Sequence, residues 1–222
     1  MNFEEGEVLL IDKPYKWSSF QALKKLRYQL KIKKIGHAGT LDPLATGLLI
    51  LCTGKKTKEI EKYQAQEKEY LTTLVLGKTT PSIDLETDFD SETDTKHLKV
   101  QDMEAILSEF FGEIEQVPPI FSAIKQDGKR LYELARKGQE TEIKARKIHI
   151  YQLEIVDSSL FPEVVLKVVC SKGTYIRSLV RDIGEKLGVG AYLKNLRRTR
   201  IGEFSVENAW QIEDLIKELK EN

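Results

Sequence analysis

The sequence is poor in cysteine, with only Cys52 and Cys170 among its 222 residues. Each cysteine ends an apolar, strand-like run, so we expect two buried thiols in a reducing compartment, without a disulfide. The chain also lacks an apolar run of about 18 residues, which argues against a membrane-spanning helix. Its first residues are acidic where a secretory signal needs a basic segment, so we expect a cytoplasmic protein.

Histidine is equally scarce, and net charge is absent. The three histidines, His37, His97 and His149, lie far apart without the spacing of metal ligands, so we expect no metal site. Lysine plus arginine and aspartate plus glutamate number 35 each, which on its own argues against a general polyanion-binding protein.

The charges are, however, separated along the chain. Residues 12–58 contain eleven basic and two acidic side chains, and residues 172–200 contain eight and two. Residues 82–115 contain eleven acids and two lysines. This pattern predicts one positive face, which would suit a polyanionic partner, although ordinary solvated faces are the alternative.

Hydrophobic periodicity predicts a mixed α/β domain that is rich in strands and spans residues 1–222, with a short helical tail. The predicted strands cover residues 7–14, 48–54, 69–77, 147–156, 163–170 and 197–206. The predicted helices cover residues 18–30, 103–111, 130–138, 173–188 and 212–219. Long loops are predicted over residues 79–94 and 116–130, where prolines and polar residues cluster.

The segment GHAGTLDPLATGLL, residues 36–49, places Asp42 among glycines, a proline and apolar residues. The residues by themselves favour a turn, because Asp-Pro initiates turns and glycine permits positive φ. A reactive carboxylate is the alternative. It would need a cation such as Arg177 to keep it ionised.

Two aromatic residues could belong to the same site. Tyr70, at the start of a predicted strand, offers a ring that can stack on a base, although packing in the core is the alternative role. Tyr175 lies two residues before Arg177 in GTYIR, and both could face one pocket if this segment is extended.

Five stretches in chain order resemble the TruB-type pseudouridine synthases: GHAGTLDPLATGLL, EKEYLTTLVLG, PPIFSAIKQDGKRLYELARKG, CSKGTYIRSLVRDIGEKLG and LRRTRIGEF. The resemblance extends from about residue 8 to residue 215. It implies an α+β fold with a central, mostly antiparallel mixed sheet, flanking helices and RNA-binding loops. It also implies an isomerase that converts uridine 55 in the T-loop of tRNA to pseudouridine, with no cofactor or metal.

The resemblance assigns catalytic roles to four positions. Asp42 matches the aspartate that initiates cleavage of the glycosidic bond, and Tyr70 matches the aromatic residue stacked on the flipped base. Tyr175 and Arg177 match the active-site tyrosine and the arginine that pairs with the aspartate. Whether the aspartate attacks the sugar, attacks the base or promotes a glycal is left open, with Tyr175 as general base in the glycal route.

The resemblance also indicates substrate-binding positions, with His37 holding the surroundings of the flipped nucleotide and Lys13 in a less certain role. These positions are His37, Lys13, Gly39 and Thr40.

Many family members carry a C-terminal PUA domain, and the chain stops soon after the catalytic blocks, so we expect none here. RNA binding would then depend on residues 24–34, 118–146 and 197–200. The loop around Asp84 departs from the family pattern, which leaves the role of that residue open.

We expect a monomer that binds the T-arm of tRNA and needs no protein partner. One alternative is a guide-RNA-dependent enzyme that works within a protein–RNA complex. The other is a non-catalytic protein that binds or folds RNA.

Overall fold

The computed structural model describes residues 1–122, 125–126, 129–130 and 143–221. The predicted helix over residues 130–138 and part of the predicted loop over residues 116–130 lie outside these residues. The described part of the chain contains thirteen strands and five α-helices. The strands are β1 (Val8–Lys13), β2 (Ile35–Ala38), β3 (Thr46–Thr53), β4 (Lys68–Leu76), β5 (Lys78–Thr79), β6 (Ser91–Glu92), β7 (Gly112–Gln116), β8 (Lys125–Gln126), β9 (Lys129–Arg130), β10 (Arg146–Asp157), β11 (Glu163–Cys170), β12 (Ala191–Ile201) and β13 (Phe204–Ser205). The helices are α1 (Ser19–Gln29), α2 (Ile60–Ala65), α3 (Val100–Leu107), α4 (Ile176–Lys186) and α5 (Ile212–Glu221).

The chain divides into two compact units, Met1–Leu71 with Asn195–Asn222, and Thr72–Lys194. Strands β4 and β12 each have residues in both units. The prediction of a single domain over residues 1–222 stays a prediction.

In the first unit, strand β3 is the centre of a mixed sheet. It pairs antiparallel with β1 along its length and antiparallel with β2 at its end, where Ile35 lies opposite Thr53. At its start it pairs parallel with β12, where Arg197 lies opposite Thr46. The segment between β2 and β3, which contains Asp42, therefore connects two antiparallel neighbours at the end of β3 that pairs with β12.

Both faces of β3 are covered, which explains its unbroken apolar run LLILC. One face packs with α1 and α5, and the buried residues of this cluster are Leu9, Ile11, Ala22, Leu23, Leu26, Leu49, Leu51, Ile212, Leu215 and Ile216. The other face packs with α2, and its buried residues are Ala38, Leu48, Ile50, Cys52, Tyr63 and Ile201. Strand β3 is thus held rigidly from both sides.

Helix α1 begins as predicted, with a capping box between Ser18 and Gln21. Leu23 and Leu26 are buried, but Phe20, which shares their helical spacing, is 65% exposed. Ala22 faces the core instead.

In the second unit the strands follow the order β4, β11, β10, β7. Strand β10 pairs antiparallel with both β11 and β7. Helix α4 buries the predicted apolar stripe of Ile176, Leu179, Val180 and Ile183. It begins at Ile176, later than the sequence predicted, so Tyr175 keeps an extended backbone with φ −102° and ψ 112°.

The predicted fold class is confirmed, because a mostly antiparallel mixed sheet carries helices on its faces. Both cysteines are buried free thiols, as expected. Burial raises the pKa of the Cys52 thiol to about 11. Among the residues that the structure describes, no helix combines the length and apolarity that crossing a membrane requires.

Gly47 lies where the backbones of β3 and β12 approach each other closely, and a substitution at this position tests that contact. Its φ is +103°, and a Cβ atom there would lie 2.2 Å from the Arg198 carbonyl oxygen. We expect Gly47→Ala to lower the free energy of unfolding by about 3 kcal/mol or more, because backbone strain and a clash with a neighbouring strand combine. Denaturant unfolding measures this.

The matched control is Gly188→Ala, at φ +72° with nothing within 4 Å of an added Cβ. It should cost only about 1–2 kcal/mol of backbone strain. Equal costs for the two variants would contradict the close approach at Gly47.

Candidate active site

The Asp42 segment forms a turn, as its local residues favoured. The Ala45 amide donates to the Asp42 carbonyl oxygen at 3.1 Å, and Asp42 itself is half-buried. A turn and a reactive carboxylate are compatible here, because only the backbone of Asp42 makes the bond that closes the turn.

The residue before Asp42 is clamped by a buried serine from α1. The Leu41 amide donates to Ser19 Oγ at 2.8 Å, and Ser19 Oγ donates to the Leu41 carbonyl at 3.1 Å. Ser19 is 1% exposed, so water does not compete for either bond. Ser19 is not among the site residues expected from the sequence, where its only signal is its place at the second position of the predicted helix over residues 18–30.

The residue after Asp42 is held by Lys13, the last residue of β1. The buried Lys13 ammonium donates to the carbonyl oxygens of Pro14 at 3.1 Å, Trp17 at 2.5 Å and Pro43 at 3.4 Å. Its three N–H groups thus have three acceptors. Burial lowers the pKa of Lys13 to about 8, while the nearby Asp42 carboxylate opposes this shift. Lys13 is therefore still a cation at neutral pH and places positive charge beside the Asp42 loop.

Arg198 supports the same loop from β12. Its side chain is 1% exposed, with Nε donating to the Leu48 carbonyl at 2.7 Å and Nη2 to the Gly39 carbonyl at 3.2 Å. The sequence analysis placed Arg198 in an RNA-binding segment, but a buried guanidinium cannot form an exposed phosphate site. The alternation of inward and outward residues along a strand was the signal for this role.

The other basic residues of that segment have local partners. Arg197 forms a bidentate pair with Asp12 at 3.0 and 2.7 Å. Arg200 donates to Glu67 at 2.8 Å. These ion pairs reduce the positive charge that residues 197–200 can offer to RNA.

His37 lies on β2, opposite Leu51, rather than in the loop that follows. Burial, and then the charge of Arg198, lower the pKa of His37, so the imidazole is neutral at neutral pH. Its Nδ1 atom is buried and has no hydrogen bond among the described residues.

The remaining candidates of the first unit occupy different environments. Gly39 is half-buried with φ +90°, and Thr40 is exposed. Tyr70 is the third residue of β4 and is 8% exposed, so most of its ring lies within the protein.

In the second unit, Tyr175 is held by a glutamine that the sequence analysis did not identify. The Tyr175 amide donates to Gln116 Oε1 at 2.8 Å, and Gln116 Nε2 donates to the Tyr175 carbonyl at 3.1 Å. Gln116 is fully buried. The Arg146 guanidinium lies over the Tyr175 ring at 4.5 Å from its centroid, a cation–π contact.

Arg177 is 4% exposed and is held by two backbone carbonyls of the second unit. Nη1 donates to Ser82 at 3.0 Å and Nη2 to Phe121 at 2.8 Å. Its Nε lies 3.8 Å from the buried Asp84 Oδ2. Asp84, whose role the sequence left open, therefore contributes negative charge beside Arg177.

The structure thus brings together two sets of predicted residues. Asp42, Lys13 and Gly39 belong to one loop framework, and Tyr175 and Arg177 lie together at the start of α4. The pairing of Asp42 with Arg177 stays a prediction. Within residues 1–122 and 143–221, no group of three or more His, Cys, Asp or Glu side chains could hold a metal ion.

Comparisons with known proteins decide the family. The model for the N-terminal domain of the TruB family pseudouridylate synthases matches residues 27–176. The model for the tRNA pseudouridylate synthase B C-terminal domain matches residues 177–222. The chain belongs to the TruB family. The resemblance inferred from the five sequence blocks is therefore confirmed.

Curated members of the TruB family are similar over nearly their whole length. A tRNA pseudouridine synthase B of Phocaeicola vulgatus is 54% identical, covering 96% of this chain and 93% of that protein. One of Flavobacterium johnsoniae is 56% identical over 94% and 93%. One of Chloroherpeton thalassium is 44% identical over 97% and 91%.

Solved structures extend the likeness. A chain in the crystal structure of a Cbf5-Nop10-Gar1 complex is 29% identical with a TM-score of 0.75, covering 97% of this chain. A chain in an H/ACA RNP bound to a substrate RNA is 27% identical with a TM-score of 0.72. This TruB family chain spans about half the length of those two chains, 54% and 53%.

The lowered pKa of Lys13 predicts that the free energy of unfolding depends on pH. Below pH 8 the lysine is protonated in both states, whereas between about 8 and 10.5 the unfolded chain keeps a proton that the folded protein releases. The free energy of unfolding of the wild type should therefore rise with pH relative to Lys13→Met, by up to about 3 kcal/mol. Urea unfolding of both proteins from neutral pH to about pH 10 checks this, and a pH-independent difference would contradict it.

The two hydrogen bonds between the Gln116 side chain and the Tyr175 backbone predict that Gln116 stabilises the protein. Gln116→Leu should lower the free energy of unfolding by about 2–3 kcal/mol, because the Tyr175 amide and carbonyl both lose a buried partner. Gln101→Leu, an exposed glutamine on α3, is the control and should change stability by less than about 0.5 kcal/mol. Similar unfolding midpoints for the two variants would refute a stabilising role for the hydrogen bonds between Gln116 and Tyr175.

Proposed function

We propose that this chain converts uridine 55 in the T-loop of tRNA to pseudouridine. The observation that carries the proposal is the fixed loop around Asp42. The chain is also more than half identical to tRNA pseudouridine synthase B proteins, over more than nine-tenths of both chains. Ser19 and Lys13 hold the residues on either side of Asp42. A carboxylate with an immobile backbone is what a reaction at one ribose carbon needs.

The reaction breaks the bond between C1′ and N1, turns the uracil and forms a bond between C1′ and C5. Across the whole reaction, C5 loses its proton and N1 gains one, so no co-reactant is consumed. The uridine must first leave its stack, at a cost of a few kcal/mol. Stacking on the Tyr70 ring would offset this by about 1–3 kcal/mol. The core holds the Tyr70 ring in one orientation, and its 8% exposed fraction is the part that can meet a base.

In this proposal Asp42 acts as an ionised group at the reacting sugar or base. Arg177 and Lys13 supply the positive charge that keeps it ionised. Support for Arg177 comes from its burial and its two carbonyl partners, which fix the guanidinium in one orientation. Tyr175, on an extended segment clamped by Gln116, is placed to act as general base if the reaction passes through a glycal.

The neutral His37 and the loop residues Gly39 and Thr40 are proposed to contact the flipped nucleotide. His37 and Gly39 are half-buried and Thr40 is exposed, so part of this segment is accessible to RNA. No cofactor enters the scheme. We further propose a cytoplasmic monomer that acts on the T-arm without a protein partner.

Action on tRNA alone is favoured over guidance by a second RNA. Identity to the curated tRNA enzymes is 44% to 56%, against 27% to 29% for the chains from the Cbf5-Nop10-Gar1 complex and the H/ACA RNP. Incubation of the purified protein with an unmodified T-arm stem-loop, followed by chemical mapping of pseudouridine, tests this directly. Product at another uridine only, or dependence on an added RNA, would overturn the assignment.

Asp42→Asn tests the chemical role. We expect product formation to fall by at least about 10³-fold, because the amide cannot carry the charge, while the backbone turn is retained. Affinity for the T-arm should stay within about threefold, since binding depends mainly on phosphate contacts. Asp157→Asn, an exposed change in β10, is the control. Turnover by Asp42→Asn close to wild type would refute the role.

A further inference from the structure

A cavity of about 330 Å³ lies in the first unit, away from the Asp42 loop. Its walls come from the N-terminal residues Phe3 and Glu4, from the turn between α1 and β2, and from the 3₁₀ helix Gly54–Glu59. Five lysines line it, and we call it the lysine cavity: Lys31, Lys33, Lys34, Lys55 and Lys58. We infer that the lysine cavity binds backbone phosphates of the RNA substrate, outside the site of the reacting uridine.

The charge of the lysine cavity is only partly neutralised by the protein. Lys33 pairs with Glu4 at 2.6 Å, and Lys55 pairs with Glu5 at 2.6 Å. Within the described residues, the other three lysines, Lys31, Lys34 and Lys58, form no ion pair. Three like charges around one concavity repel each other, and an anion bound among them relieves this repulsion.

The backbone on one wall of the lysine cavity adopts an uncommon conformation at Lys31. Lys31 follows the end of α1 with φ +53°, a left-handed conformation that usually belongs to glycine. A lysine in this conformation costs about 1 kcal/mol relative to glycine. The strained backbone therefore carries a charged side chain where glycine would be more stable, and Lys31 contributes that charge to the cavity.

The other wall is held by hydrogen bonds between chain segments. The Gly54 amide donates to the Lys34 carbonyl at 2.9 Å, and Thr57 Oγ1 donates to the Gly54 carbonyl at 2.8 Å. A Cβ atom on Gly54 would lie 2.2 Å from the Glu4 carbonyl oxygen. The segments that carry Lys34 and Lys58 are thereby fixed against each other before any ligand arrives.

The position of the cavity decides which part of the RNA it can contact. It lies before β2 and after β3, whereas Asp42 lies at the opposite end of this β2–β3 hairpin. Four paired residues, Ile35–Ala38, separate the two ends, about 10 Å at 3.3 Å per residue. The cavity is too far away for the flipped uridine, but RNA phosphates a few nucleotides along the strand are within reach.

The chemistry favours a phosphate over a base or a peptide. Ammonium groups act as point charges for phosphate and carry no sequence information of their own. The lysine cavity should therefore increase affinity for RNA while leaving the chemical step unchanged. The identity of the RNA depends on the proposed function, but the binding of an RNA phosphate does not.

The test is the triple variant Lys31→Ala, Lys34→Ala and Lys58→Ala in the full chain, with an unmodified T-arm stem-loop as probe. The dissociation constant is measured over a series of monovalent salt concentrations. We expect the slope of log K against log salt to decrease in magnitude by about 2, since each lysine lost removes nearly one counterion release. Affinity near 0.1 M salt should fall by about tenfold or more, and turnover at saturating RNA should stay within about twofold.

The matched control removes three lysines of the second unit that lie among acids: Lys96→Ala, Lys147→Ala and Lys186→Ala. Lys147 pairs with Glu113 and Lys186 with Glu109. The control should leave the salt slope within about 0.5 of wild type, because it changes net charge equally without touching the cavity. A triple variant with arginine at residues 31, 34 and 58 should keep the wild-type slope.

A salt slope unchanged in the alanine triple, or reduced equally in the control, would overturn the proposal. If the alanine triple unfolds, the single variants Lys34→Ala and Lys58→Ala, both of exposed residues, should each lower the slope by nearly one. A wild-type protein that binds the T-arm through these lysines but forms no pseudouridine would refute the proposed function and leave the phosphate site standing.

Discussion

The structure depends on the immobilisation of one short loop by two buried polar side chains. Ser19 satisfies both backbone groups of Leu41, and Lys13 binds the carbonyl of Pro43, so the residues on either side of Asp42 are fixed. Buried hydrogen bonds of this kind exclude water and are costly to break. The position of Asp42 is therefore set by the core of the first unit.

Burying charged side chains around this loop costs desolvation free energy, and hydrogen bonds within the first unit offset that cost. Lys13 and Arg198 are both buried cations, and their desolvation is tolerable only because their N–H groups meet backbone carbonyls. Gly47 lets β12 approach β3 closely enough for Arg198 to reach the loop. The same two cations hold the carbonyls of the Asp42 loop, so the cost of their burial is coupled to the position of Asp42.

The basic residues fall into two groups with different proposed roles. Positive charge at the proposed reacting centre is buried and held by carbonyls, as for Lys13 and Arg177. The positive charge proposed for the RNA backbone is exposed and has no acidic partner among the described residues, as at Lys31, Lys34 and Lys58. The half-buried Arg197 and Arg200 are paired with acids instead. A net charge of zero is therefore compatible with a strongly basic surface near one loop.

The sequence by itself determined the family, most strands and helices, and the candidates Asp42, Tyr175 and Arg177, because these depend on short motifs and local periodicity. It could not identify Ser19 or Gln116 as clamps, since their partners are 22 and 59 residues away in the chain. It also placed Arg198 on the surface, because its direction follows from the pairing of β12 with β3. Only tertiary structure decides which polar side chains are buried, and burial is what turns an ordinary serine, lysine or glutamine into a clamp.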